Sequence, residues 1–499
     1  MLNVTDLFCG SGGSSTGAAA VPGVELRRAI NHWDRAIESH AANHPDVNHA
    51  LCDLIDVHPA AFESMDILLA SPECRTHSTA RGTKRRGAGQ MSMFERRELS
   101  AADVRSRVTM SAVVQWASVH RPQAIVVENV VEVMHWNDET GSFPVWLREI
   151  GLLGYEYQLV FLNAMHTHGL TDEAVRFVTP QTRDRIYIVF WRRGNPRPDL
   201  AIFPLAWCEG CEGDVRSVQA WKNGRRAGKY RAQYVYRCPA CTAVVEPYVY
   251  GALNVIDWSR PMQRVGDRDL AFKPATEARL RAGLRRHGLR SYLVETGYSH
   301  APASRTRDVR GPLPAQTARP SQMLVKGFIA PNRTNNQPDA LDEPLAPVLT
   351  AQHHLLVTLR GTRDGTPTHE PLPTLVASAS QTWLACYNGS ITDAPTAAPM
   401  PAVTTVQRHL LASGQAYEAS RLGADALPRT ASGEIDISDL ETRLLHSSEL
   451  APGTGYPAGY VLVGTERERV RQIGHSNPPS VENLLVARVA ASLHQTHAR

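Results

Sequence analysis

Asp66-Ile67-Leu68-Leu69-Ala70-Ser71-Pro72-Glu73-Cys74-Arg75-Thr76-His77-Ser78 is the stretch on which the reading of this 499-residue chain turns. Ile67 to Ala70 has the length and composition of a buried strand. Ser71-Pro72-Glu73 stops the pairing, because proline has no N–H to give and turns the chain. A lone cysteine, Cys74, follows. A residue just past the carboxyl end of a buried parallel strand lies where open α/β sheets hold their ligands. A thiolate there attacks soft carbon centres and leaves again readily. Taken alone, such a cysteine is more often a buried structural thiol; the surrounding sequence shifts that balance.

Upstream, Val4 to Phe8 reads as a strand running into Cys9-Gly10-Ser11-Gly12-Gly13, followed by small residues that open a helix. Glycines let backbone approach a ligand, so strand, glycine turn and helix begin a nucleotide-binding α/β unit, although many such turns serve only packing. Leu26 to Asn31 is a second strand, followed by His32-Trp33-Asp34, and a third ends at Leu51-Cys52-Asp53. Downstream, Val104 to His120 is helical, Ala124 to Val127 is a fifth strand ending at Glu128-Asn129-Val130, and Tyr157–Leu162 and Arg185–Trp191 are two more. The alternation predicts an α/β fold with a doubly wound, largely parallel sheet. The polar residues then gather at one sheet edge, which packing alone does not explain.

The length calls for two or three domains. Hydrophobic residues at 42% and charged residues at 20% describe an ordinary folded chain. No apolar run approaches the ~20 residues of a membrane helix, and the N-terminus lacks the basic region of a signal peptide. The expected setting is cytoplasmic, with no membrane partner, so the eight cysteines read as thiols or metal ligands. Net charge is only +4, but basic groups cluster at Arg75–Arg86, at Arg225, Arg226, Lys229 and Arg231, and at Arg279–Arg290. Such clusters can neutralise phosphates, although any one of them alone is more often a solvated face.

Six segments in order resemble the motifs of the DNA (cytosine-5)-methyltransferases: Asp6 to Gly13, Cys74 with Ser78, Glu128-Asn129-Val130, Gln181 to Arg185, Arg443 through Tyr456-Pro457, and Gln472 to Pro479. The resemblance implies a Rossmann-like S-adenosylmethionine-dependent methyltransferase fold and double-stranded DNA as partner. It implies that Cys74 attacks C6 of a flipped-out cytosine, that Glu128 holds the N3 and N4 edge, and that C5 then takes a methyl group from S-adenosylmethionine. Arg185 would bind the base's carbonyl oxygen, and Arg183 would order the site. Phe8, Cys9, Gly10, Ser11, Gly12 and Gly13 would line the cofactor cleft, with Trp33 on adenine and Asp53 near its amino group. Leu54, Glu73, His32, His475 and Ser476 would surround the same ligand. The flipping costs roughly a few kcal/mol, and Thr79 to Arg97, rich in Gly, Ser and Arg, is expected to close over the nucleic acid.

The chain departs from the family at particular points. Glu73 separates Pro72 from Cys74, where the family has Pro-Cys, and a carboxylate beside a thiol raises its pKa. His32 replaces the ribose-binding acid, and His475 and Asn477 replace the usual Asn and Val of the last motif. Three alternatives stay open: a transferase acting on RNA such as tRNA, as some proteins with this signature do; a C5 transferase with a non-methyl donor, given these cofactor-side changes; and a DNA-binding protein with a degenerate site.

Cys208-x2-Cys211 and Cys238-x2-Cys241 read as an inserted zinc ribbon with structural Zn2+. The basic, aromatic stretch between them is equally a DNA contact or a structural support. From Ser291 to Ala412 a proline-led pattern recurs at Pro312, Pro344, Pro371 and Pro399, at intervals of 27 to 32 residues. It predicts stacked β units whose polar loops, such as Asn332–Asn336 and Arg360–Gly365, read bases. The expected organisation is a first catalytic part over 1–200, the ribbon over 201–250, a β-rich target-recognition region with its linker over 251–437, and the rest of the catalytic domain over 438–499. Ser438-x-x-Glu441 reads as a capping box opening a helix. A second helix, Val481 to Leu493, is expected to pack beside the glycine turn. A monomer, prokaryotic or phage-encoded and with a cognate restriction endonuclease as partner, completes the expectation.

Overall fold

Ile67–Ala70 is indeed a strand, with all four residues buried. A computed structural model describes residues 1–72, 101–135, 141–169, 172, 175–287, 291–296, 305–326, 430, 433–438 and 440–497, together with short strands between 355 and 413. Glu73, Cys74, the Thr79–Arg97 segment and most of the repeat region lie outside the described residues. The chain divides into two units: Met1–Val249, Ala315–Pro320 and His446–Arg499 form the first, and Tyr250–Pro314 with Ser321–Leu445 the second.

The first unit is built on a seven-stranded sheet. Its strands are β1 (Leu2–Leu7), β2 (Val24–Asn31), β3 (Asn48–Leu51), β4 (Ile67–Ala70), β5 (Ala124–Asn129), β6 (Tyr155–Asn163) and β7 (Asp184–Arg192). The order is β3-β2-β1-β4-β5-β7-β6, and the first five strands pair in parallel. β7 runs antiparallel to both neighbours. Its start therefore arrives at the edge where the other strands end.

Strand alternation explains the two-sided burial. Ile67 and Leu69 of β4, with Ala124 and Val126 of β5, face one core. Leu68, Ala70, Ile125 and Val127 face the other. Each large aliphatic side chain so buried contributes about 1.5–3 kcal/mol. The first core is closed by α1 (Gly13–Ala19) and by a long helix, Pro479–His497, which pack on each other. The second is closed by α3 (Ala101–His120) and α4 (Ser142–Leu152), while α2 (Asp34–Asn43) follows β2. Helices on both faces make the sheet doubly wound. Among the described residues no helix is long and apolar enough to cross a membrane.

The cysteine-bearing insertion is all strand: β8 (Leu205–Cys208) with β9 (Gly213–Arg216), and β10 (Val218–Trp221), β11 (Tyr234–Arg237) and β12 (Val244–Val245) in a three-stranded sheet. It shares the first unit's second core: Ala206, Cys208, Tyr230, Tyr234, Tyr236, Cys238 and Val245 are buried with Val127, Phe161 and Ile186.

In the second unit, β13 (Gln263–Arg264), β14 (Tyr292–Glu295), β15 (Thr306–Asp308), β16 (Gln322–Lys326) and β22 (Glu441–Leu444) form an antiparallel sheet. Helix α5 (Pro274–His287) covers it through Leu280 and Leu284. Short strands β17 (Leu355–Leu356), β18 (Thr366–Pro367), β19 (Thr382–Tyr387), β20 (Ile391–Pro395) and β21 (His409–Ser413) contain the apolar halves of three repeats; the loops between lie outside the described residues. Glu441–Leu444 is a strand, not the helix expected after Ser438. Its Thr442 pairs into a sheet with Val325, so tertiary pairing overrides the local cap signal. Capping boxes occur instead at His446 and Thr465, opening Ser447–Thr454 and Glu466–His475.

Candidate active site

The order 3-2-1-4-5 reverses direction between β1 and β4, and such a switch point opens a crevice at the carboxyl edge. Phe8 leaves β1 with φ 59°, an unfavourable left-handed conformation for a non-glycine residue. Gly12 follows at φ 99°. At Gly13 the approach of other backbone excludes any side chain: a Cβ would lie 2.0 Å from the Asn477 carbonyl oxygen and 2.2 Å from Ser476 Oγ. The turn is thus closed by a segment from the other end of the chain, as the sequence suggested for the helix that follows it.

Hydrogen bonds finish this closure. Ser11 Oγ and the Tyr456 hydroxyl are 2.8 Å apart, and the same hydroxyl lies 2.6 Å from Ser476 Oγ. Tyr460 donates to the Ser11 carbonyl at 2.6 Å. Asn477 Nδ2 faces three acceptors: Ser14 Oγ at 3.1 Å, Ser71 Oγ at 2.8 Å and Glu482 Oε1 at 3.1 Å. One amide therefore joins the glycine turn, the exit of β4 and the closing helix. Burial, with Asp6 and Glu128 nearby, pushes the Glu482 carboxyl well above the usual range.

Below the turn runs a buried polar chain. Ser15 donates to Asp6 Oδ2 at 2.7 Å, so its oxygen accepts from His40 Nε2 at 2.8 Å. That leaves His40 Nδ1 to accept from His49 Nε2 at 2.8 Å. Desolvation raises Asp6 to about 7 and lowers His40 to about 2. His44, beside Thr16, is lowered to about 4 by the same burial.

His32 is exposed at the end of β2, and Trp33 next to it is half-buried, with Arg471 over its ring at 4.4 Å. Asp53 is half-buried past β3; Leu54 is in the core. Cys9, Ser11 and Ser476 are buried, whereas His475 is exposed. Above Gly10 nothing lies within 4 Å of where a Cβ would be. Open space over a glycine turn, with Trp33 and Asp53 accessible at the next two strand ends, fits a nucleoside-bearing ligand such as S-adenosylmethionine.

On the other side of the crevice, Glu128 and Arg185 meet: Arg185 Nε donates to Glu128 Oε1 at 2.7 Å. Arg185 Nη1 also donates to the Asp184 carbonyl at 2.8 Å. Arg183 is buried, its guanidinium near the Gly474 carbonyl at 3.4 and 3.5 Å. Ala70 and Val127 are opposite each other in the parallel pair β4–β5. The chain leaving β4 through Pro72 therefore exits beside Glu128, and Asn129 Nδ2 reaches the Pro72 carbonyl at 3.5 Å.

Cys208, Cys211, Cys238 and Cys241 converge, their sulfurs all within 4.8 Å of one another. The separations Cys208–Cys241 and Cys211–Cys238 are 3.4 and 3.7 Å. A tetrahedral zinc with bonds of about 2.3 Å sets its sulfurs roughly 3.8 Å apart, so the cluster fits that ion. Among the described residues it is the one group that could hold a metal. A separate apolar cleft of about 510 Å³, lined by residues such as Phe143, Leu147 and Tyr157, lies at the start of β6, at the opposite edge from Glu128.

The sequence reading did not single out Glu482, Tyr460 or Arg471. Tyr460 and Glu482 flank recognised segments, but nothing in their spacing announces a contact across more than 400 residues.

Residues 2–205 match the family model of the C-5 cytosine-specific DNA methylase. No curated protein matches the sequence. Among solved structures, the chain is similar to a candidate DNA modification methyltransferase encoded within a prophage (E. coli), at 13% identity and TM-score 0.42, covering 99% of this chain and 100% of that one. It is similar to a Spodoptera frugiperda DNMT2 variant at 12% identity and TM-score 0.44, with 98% and 100% covered. S. pombe Dnmt2 methyltransferase gives 13% and 0.42, with 98% and 99% covered. The family match and the sheet order assign the α/β methyltransferase fold.

Proposed function

We propose that the chain, whose residues 2–205 match the family model of the C-5 cytosine-specific DNA methylase, transfers a methyl group from S-adenosylmethionine to C5 of cytosine in duplex DNA. The observation that carries this reading is the Glu128–Arg185 pair, set beside the exit of the strand that leads to Cys74. S-adenosylmethionine, when bound, supplies an electrophilic methyl carbon; Phe8, Gly10, Trp33 and Asp53 are the residues that would hold it.

The Cys74 thiolate adds to C6, forming a C–S bond and passing electron density to C5. Glu128 takes the N3 and N4 edge, with a proton held at N3 so that the adduct does not build up negative charge. Arg185 fixes one carboxylate oxygen and offers guanidinium N–H groups to the base carbonyl. After methyl transfer a base takes the C5 proton, the C5–H electron pair becomes the C5=C6 double bond, and the C–S pair leaves with Cys74 as thiolate. A stacked base exposes neither face, so the cytosine must be flipped out. The four cysteines hold a structural zinc, and the repeat region reads the target. The chain acts as a monomer, cytoplasmic in a prokaryote or phage host, and a restriction endonuclease is its functional partner.

Nucleoside mass spectrometry on DNA and RNA from cells expressing the chain, beside Cys74→Ala, tests the reading. New 5-methylcytosine in DNA that the variant lacks supports it. Modification confined to RNA, or a heavier group at C5, overturns the substrate or the donor.

A further inference from the structure

Two consecutive residues of the cysteine-bearing insertion grip both strand ends that carry the base-holding pair. Lys229 Nζ donates to Glu132 Oε1 at 2.5 Å, four residues beyond Glu128. The Tyr230 backbone N–H donates to Asp184 Oδ1 at 2.9 Å, and Asp184 immediately precedes Arg185 and receives its Nη1 on the carbonyl oxygen. We propose that the ribbon is a brace for catalysis: through Lys229–Glu132 and Tyr230–Asp184 it sets the spacing and orientation of Glu128 and Arg185. Asp184 is then a positioning residue. This rests on Glu128 and Arg185 being the groups that hold the base.

The grip is itself held rigid. Tyr230 packs edge-on against buried His166 with ring centroids 4.6 Å apart, and His166 meets Tyr236 the same way at 5.1 Å. The Tyr230 hydroxyl donates to Glu246, which also pairs with Arg231 at 2.8 Å. Arg231 sits at φ 62°, a strained conformation that persists only where its surroundings over-determine it. Gln219 Nε2 donates to the Phe161 carbonyl at 3.0 Å, fastening β10 to the sheet beside β7. Tyr230, Tyr234 and Tyr236 share one core with Cys208, Cys238 and Ile186. The insertion thus connects its cysteine cluster to the start of β7 through packed side chains. An exposed domain tethered only to recruit nucleic acid would need none of this.

A misplacement of well under 1 Å at the base is enough to slow transfer, since positioning effects reach about 10²-fold per ångström. The test uses the full chain, unmethylated bacterial genomic DNA and labelled S-adenosylmethionine. Asp184→Ala removes the acceptor for the Tyr230 N–H; the expected result is a kcat lowered about tenfold or more, with KM for S-adenosylmethionine within about twofold. Asp184→Asn keeps Oδ1 as an acceptor and should recover most of the rate. Lys229→Ala, at a half-exposed side chain, serves if Asp184→Ala does not fold, and should lower kcat without a change in KM. A second readout needs no turnover: in Lys229→Ala, and after chelation of metal, hydrogen exchange should quicken at residues 128–132 and 184–187. Wild-type kcat in Asp184→Ala or Lys229→Ala, or Asp184→Asn as slow as Asp184→Ala, overturns the brace. An inactive wild type overturns the proposed function instead, and the exchange measurement then decides the brace alone: unchanged protection at both segments refutes it.

Discussion

Replacing Asn477 by Val tests whether one buried amide holds the active-site crevice together. An NH2 group has two hydrogens, so of its three acceptors it can serve Glu482 and one serine at a time. Each such bond is worth about 1 kcal/mol net, and a buried acceptor left without a donor costs about 1–3 kcal/mol more. Asn477→Val should therefore destabilise the first unit by about 3–5 kcal/mol, a fall in apparent Tm of roughly 5–8 °C for a unit of this size. The companion variant is Glu482→Gln. Asn477 Oδ1 and Glu482 Oε2 are both buried without a partner among the described residues. Burial pushes the Glu482 carboxyl well above the usual range, toward its neutral form, while Oε1 accepts from Asn477 Nδ2. Glutamine reproduces that pattern, so Glu482→Gln should cost less than about 1 kcal/mol. The sign of the pH dependence separates the two. A carboxyl raised in the folded state gives stability that is present below its unfolded pKa, near 4, and is lost as pH rises toward the folded value. Glu482→Gln should remove that loss, so that relative to wild type it gains between pH 5 and pH 8. Calorimetric unfolding at both values is the assay. A Tm fall below about 2 °C for Asn477→Val, or a cost for Glu482→Gln equal to it, would refute the reasoning.

Glu128→Gln keeps an oxygen for Arg185 but cannot manage a proton at N3, so methyl incorporation into DNA should fall about 10²–10⁴-fold; a loss under tenfold contradicts the assigned role. Elemental analysis should find one zinc per chain, and Cys208→Ser should abolish it and lower Tm, because that cysteine lies in the core shared with Tyr234. Between pH 6.5 and about 4 the unfolded chain takes up protons that His40 and His44, lowered to about 2 and about 4, refuse when folded, so stability falls as pH falls. Asp6, raised to about 7, acts with the opposite sign between about 4 and 7, so Asp6→Asn should steepen the acid limb of a Tm–pH curve and His44→Gln should flatten it.

What could be read in the sequence was what repeats locally. β4 was legible to the residue because four apolar side chains end at a proline. The glycine turn and the cysteine pairs were legible because few residue types tolerate those positions. The antiparallel insertion of β7 was not, since strand composition carries no direction, and it is that reversal which brings Arg185 to Glu128. Ser438 to Glu441 misled because a side-chain cap is worth about 1 kcal/mol, less than the pairing of Glu441–Leu444 with β16. The Asn477 amide was visible only as a departure from the family's Val; its three partners come from segments that no local pattern connects.

The closure of the glycine turn also sets the order of events during synthesis. Ser14 and Asn477 are 463 residues apart, with the second unit between them. At roughly 5–20 residues per second, the turn made early in translation waits on the order of half a minute to a minute and a half for the segment that completes it. A nascent or truncated chain can thus present its second unit before the glycine turn is closed. The closed turn arrives last, and only with chains that have been read through to the closing helix.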